Sequence, residues 1–224
     1  MLQPTTLSFL DDLRQNNNRE WFQENKKQYE LFKKDYHNLI NLVLTELKKT
    51  DSSLEMVQTK DCAFRINRDI RFSKNKSPYK THLAIGISAD GKKNTKSSYY
   101  IHIEPNACFV GGGLYCPEPQ QLAKIRKEIA FFYDDLQTII GNPKFKKAFN
   151  SLSKDEGQFL KNPPKGYEKD HPAIEFLKLK SFTAGTTFDE KDALKPDFVS
   201  KMVDYLRIIK PFNDFLNRAV EEIE

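Results

Sequence analysis

The chain has 224 residues, 38% apolar and 30% charged, which is enough to bury a full core. It has no apolar run near the ~18 residues a spanning helix needs, and MLQPTTLSFLDDLRQ lacks a basic segment followed by an apolar one, so a cytoplasmic protein without a secretory signal is expected. Of the net charge of +5, +4 falls in residues 61–82, where six Lys or Arg meet two Asp; such a focus points to a local anion site rather than a DNA-coating face.

In chain order, TLSFLDDLRQ places Leu7, Leu10 and Leu13 at helical spacing and stops at the triple Asn of positions 16–18. Asn17 followed by Glu20 resembles a capping box. From Arg19 to Thr50 no Pro or Gly interrupts an apolar stripe through Phe22, Tyr29, Phe32, Tyr36, Leu39, Ile40 and Val43. The pattern predicts one long helix, or two with a kink.

After Asp51 the period becomes two. KDCAFRIN, THLAIGIS and SSYYIHIE alternate apolar and polar positions, and ACFVGG adds a further short strand. Pro105 and Asn106 suit the centre of a tight turn between two of them. The segment ADGKKNTKSS (89–98) reads as a polar loop. The prediction is a central antiparallel sheet of about four or more strands over residues 60–112.

Pro119 opens and Gly141 closes the next helical stretch, and NPKFKKAF reads as a short helix. KNPPKGYEKDHP is a loop delivering AIEFLKLKSFTAG, a short helix or strand. The final segment is helical, with a bend or break expected at Pro211. These elements predict an α+β fold in a single domain, 1–224: helical 5–50, sheet 60–112, helical 118–224.

The runs NNNREWFQENKKQYE, RINRDIRFSKNKSPYKTH, YYIHIEP, FVGGGLY, PKGYEKDHPA and LKSF, in this order, resemble the family catalogued as domain of unknown function 2461. The resemblance spans about Phe9 to Ala219. It implies one compact α+β domain, and it supplies neither an activity nor catalytic residues.

Candidate chemistry centres on the basic stretch. If 62–72 were one strand, Arg65, Asn67, Asp69 and Arg71 would share the face opposite Phe64, Ile66, Ile70 and Phe72. Arg68 would then fall on the apolar face, which is costly. A break near Asn67–Asp69 is therefore expected, gathering the arginines, with Asp69 orienting one guanidinium. Arg65, Arg68, Arg71, Lys76 and Lys80 would bind a phosphate or carboxylate, and Tyr79 would wall the pocket. The competing reading is an internal ion network to Glu20, Glu24 and Glu30 of the long helix.

Gly111, Gly112 and Gly113 permit close backbone approach, either by a ligand or by a neighbouring strand, but they form no nucleotide-binding motif. His102 shares a strand face with Tyr100 and Glu104, so a His–Glu pair could transfer protons if that face is covered. His171 is the other candidate proton carrier, with capping or packing as its plainer role. Cys62, Cys108 and Cys116 form no C-x-x-C pair, and the four His lack ligand spacing, so no metal site is expected. No residue pattern names a cofactor or an oligomeric state. Two functions compete: a binder of an anionic ligand, extending to an enzyme on a phosphate-containing substrate, or a non-catalytic module docking nucleic acid or an acidic protein.

Overall fold

The computed structural model describes residues 1–91, 93, 95–154 and 157–221. Lys92 and Asn94 of the expected polar loop, and 222–224 of the expected C-terminal helical region, lie outside the described residues. The fold is α+β, as the alternation and the helical stripes predict.

The N-terminal helices are α1 (Pro4–Gln15), α2 (Arg19–Glu24) and α3 (Lys26–Lys48). The long helical stretch breaks at Asn25, whose side chain donates to the Trp21 carbonyl at 2.9 Å and holds the kink. Asn18 rather than Asn17 caps α2, accepting from Trp21 N at 2.9 Å. Asn17 is engaged elsewhere: its amide donates to Tyr79 O and accepts from Tyr79 N, both at 3.0 Å. The α3 stripe buries Phe32, Tyr36, Leu39, Ile40, Val43, Leu44 and Leu47. It meets α1, which buries Phe9, Leu10 and Leu13.

The sheet has four strands in the order β1 (Leu83–Ile87), β2 (Ser98–Ile103), β3 (Phe109–Leu114) and β4 (Phe182–Thr187), all antiparallel. Its membership differs from the sequence reading at both ends. Residues 59–62 form a helical turn, α4 (Thr59–Cys62), because the Asp61 carboxylate reaches back to Gln58 N at 3.0 Å. Beyond it only isolated antiparallel bridges remain, Ala63 with Ile85 and Asn67 with Tyr79. The fourth strand comes instead from the segment read as helix or strand, which supplies both a helical turn, Ile174–Leu177, and β4. The turn at Pro105–Asn106 forms as expected, with Asn106 at φ 64° and Ala107 N donating to Glu104 O at 2.9 Å.

The remaining helices are α5 (Pro119–Phe131), α6 (Tyr133–Gly141), α7 (Pro143–Phe149), α8 (Ile174–Leu177) and α9 (Phe198–Val220). The stretch from Pro119 to Gly141 is therefore two helices, divided at Phe132. α9 continues through Pro211, so of the expected bend or break the helix shows no break. A proline removes a single helical N–H bond, and the apolar face of α9 keeps its burial on both sides of it, at Leu206 and Ile209 and at Phe212 and Leu216.

Two compact units divide the chain. The first is Met1–Ile87, Tyr100–Val110 and Thr187–Asp204; the second is Ser88–Tyr99, Gly111–Thr186 and Tyr205–Glu224. In the first, the inward positions of the strands (Leu83, Ile85, Ile87, Ile101, Ile103) and the α3 stripe are buried. In the second, Ile125, Ile129, Leu136, Phe145, Leu177, Leu206 and Phe212 are fully buried, and Phe145 meets Phe149 and Phe212 edge to face. Among the described residues, no helix is long and apolar enough to cross a membrane.

Candidate functional site

The outward face of the sheet in the first unit carries the chemistry. Strand side chains alternate, so Tyr100, His102 and Glu104 share one face of β2 and its extension. On β1 the same parity holds for Ala84 and Gly86, and it extends back to His82. Antiparallel pairing sets the start of β1 against the end of β2, with strand spacing near 4.8 Å. The His82 and His102 rings accordingly lie 4.5 Å apart, centre to centre.

His102 is held from several directions. Its Nδ1 is 3.1 Å from Tyr100 Oη, its Nε2 is 3.2 Å from Glu104 Oε2, and the Phe109 ring stacks on it at 5.1 Å. Thr81 Oγ1 donates to the other oxygen of Glu104 at 3.2 Å. Phe64 covers the neighbouring β1 surface, with its ring about where a side chain at Gly86 would stand. Tyr36 fixes that segment, accepting from Phe64 N at 2.9 Å and donating to Ala84 O.

Half-burial tunes these groups. Burial, then the neighbouring His102, pushes the His82 pKa down to about 4; Glu104 opposes this, while Lys80 and Arg68 add to it. His82 is therefore neutral at pH 7. Burial and the Glu104 charge raise the Tyr100 hydroxyl above its ordinary value. A neutral His beside a His–Glu pair with a tyrosine hydroxyl can relay a proton or present nitrogen and oxygen ligands.

The basic residues divide into two sets. Arg71 pairs with Asp69 through Nε at 3.0 Å and Nη2 at 2.7 Å, on an exposed loop. That hydrogen bond holds the Asp69 carboxyl below its usual range. Lys76 donates to Ile70 O at 2.9 Å, and Arg68 Nη1 to Ser77 O at 2.9 Å, so both brace the loop's own carbonyls. Arg65 and Lys80 differ: among the described residues neither reaches a carboxylate at ion-pair distance. Lys80 is half-buried over the Phe64 ring at 5.4 Å, and burial together with Arg65 lowers its proton affinity. Nor, among the described residues, does any ion pair join Glu20, Glu24 or Glu30 to this stretch.

The Tyr79 ring packs toward α2. It is buried, stacks on Phe22 at 4.0 Å and is clamped by Asn17. Gly111, Gly112 and Gly113 are buried in the second unit. A Cβ on Gly111 would lie 2.1 Å from Ala184 O, and one on Gly113 equally close to Phe182 O. Their bare backbones admit the neighbouring strand. His171, also in the second unit, accepts from Ala173 N at 3.1 Å and packs edge-on against Tyr167; this is a local turn contact, and no side chain caps the helix that follows. The surface depression at the α6–α7 junction, with Asp134, Gln137, Thr138 and Asn142 on its wall, is lined by no cation.

The sequence reading missed His82. Its parity with Ala84 and Gly86 was visible, but the strand pairing that sets it beside His102 was not.

An α+β chain with a His–His–Glu–Tyr face beside an arginine- and lysine-bearing loop is the class these features define. Residues 5–215 match the family described as Conserved hypothetical protein (DUF2461), and the chain belongs to that family. No curated protein and no solved structure matches it.

Proposed function

We propose that the protein binds an anionic ligand, a phosphate or carboxylate group, at Arg65 and Lys80 beside the His82–His102 face. One observation carries the reading: Lys80 is half-buried, crowded by Arg65, and faces no carboxylate. A half-buried cation that meets an aromatic ring but no carboxylate is costly, and an incoming anion relieves that cost. Asp69, Arg71 and Lys76 order the loop that presents the site. We further propose that 1–224 acts as a single domain, since β2, β3 and α9 each run from one unit into the other.

Calorimetric titration with inorganic phosphate at low and high salt tests the reading. Wild type binds, and Lys80→Ala weakens binding about tenfold, as loss of a charge-assisted contact implies. Equal affinity in Lys80→Ala, or no binding by wild type, contradicts it.

Phe72 favours a second reading. It is 94% exposed, with the Arg71 guanidinium 5.7 Å from its ring centre. An exposed aromatic on a basic loop can stack a base of a single strand. Anisotropy with a labelled oligonucleotide distinguishes the two: docking requires that Phe72→Ser weakens binding and that affinity falls steeply with salt.

A further inference from the structure

We propose that His82, His102 and Glu104 form a binding site for a divalent first-row transition-metal ion. The ligands are His102 Nε2, a ring nitrogen of His82 and a carboxylate oxygen of Glu104. One ligand atom from each of the three residues lies within 4.8 Å of the other two. In a tetrahedral site with bonds of about 2.1 Å, ligand atoms stand about 3.4 Å apart. The His102–Glu104 edge is already 3.2 Å. The wider gaps, 4.8 Å at most, close with up to about 1.4 Å of side-chain movement, which His82 can supply because the strand ladder begins only at Leu83.

The surroundings match what such a site needs. Metal-bound histidines usually donate their second ring nitrogen to an outer group, and metal-bound carboxylates are themselves hydrogen-bonded. Here Tyr100 Oη stands at the second nitrogen of His102, and Thr81 holds the second oxygen of Glu104. In the tautomer that donates Nδ1–H to Tyr100, the Nε2 lone pair faces the ion. Phe109 stacks along the imidazole and limits its rotation. The side chains of His102 and Glu104 keep 11% and 30% exposure, so coordination positions stay open to water or ligand.

Two imidazoles and one carboxylate suit Zn²⁺ or Fe²⁺ with open positions, and not the all-oxygen preference of Mg²⁺ or Ca²⁺. The metal site does not depend on anion binding, because the metal alone is the probe.

The test uses the full chain, stripped with chelator and titrated with Zn²⁺ or Co²⁺ in the absence of phosphate, with Mg²⁺ as a comparison. One equivalent of Zn²⁺ or Co²⁺ binds, and Mg²⁺ does not compete. His82→Ala, His102→Ala and Glu104→Gln each lose at least tenfold in affinity, while His171→Ala is unchanged. Tyr100→Phe loses a smaller factor, within the range of about 10–100-fold seen for outer partners. Absence of binding, equal competition by Mg²⁺, or binding indifferent to the three ligand variants overturns the proposal. Should a ligand variant fail to fold, Co²⁺ on the wild type still decides: two paramagnetically shifted imidazoles support the site, and one or none contradicts it.

Discussion

His102 and Glu104 face each other across two residues of one strand and its extension, Nε2 to Oε2 at 3.2 Å. The pleat sets both side chains on the same side, and Thr81 and Tyr100 hold their far atoms. The pair is built by backbone geometry before any ligand arrives.

The clamp from Asn17 to Tyr79 ties the start of α2 to the end of the basic loop. Asn17→Ala leaves the N–H and C=O of a buried residue without those partners. Each such loss costs about 1–3 kcal/mol, so urea unfolding should show a total of about 2–6 kcal/mol. A change indistinguishable from zero would remove the clamp from this account.

Gly113 sits at φ +124°, with the Phe182 carbonyl where a side chain would go. Gly113→Ala should cost about 3 kcal/mol or more through backbone strain and overlap. Thermal unfolding should fall by roughly 10 °C. Retention of the wild-type midpoint would mean that β3 and β4 approach less closely than described.

Asp90 gives stability a pH dependence. Burial alone would raise its carboxyl, but donors from Ser88, Thr95 and Lys96 outweigh that and hold it below the ordinary value. A depressed carboxylate contributes stability that is fully present above its unfolded value, about 3.9, and lost as pH falls through the folded one. Asp90→Asn should therefore be less stable than wild type at pH 7, with the gap closing as the medium becomes strongly acidic. A gap that widens in acid would reverse the sign.

The Arg71–Asp69 pair is exposed, with side-chain exposures of 75% and 46%. Exposed pairs contribute little to stability. Arg71→Ala should leave the unfolding midpoint unchanged, and a collapse of the fold would instead assign this arginine to a structural network.

The period-two segments THLAIGIS and SSYYIHIE and the turn at Pro105–Asn106 were legible because strand parity and turn chemistry are local. DCAFRIN alternates too, yet Asp61 turns its start into helix, and Phe64 is half-exposed over Gly86 rather than buried beneath a sheet. β4 lies about 70 residues beyond β3 in the chain, and no local pattern announces such a pairing. The same limit hid the site. His102 and Glu104 announce each other at a spacing of two, but His82 joins them only through the register of β1 against β2. That register is set across the polar loop 88–97, not by a short turn whose chemistry could be read.

The most direct measurement is an anomalous difference map from crystals of the full chain grown with Zn²⁺. The account predicts a peak about 2.1 Å from nitrogens of His82 and His102 and an oxygen of Glu104. No peak there, or a peak ligated by other residues alone, would contradict it.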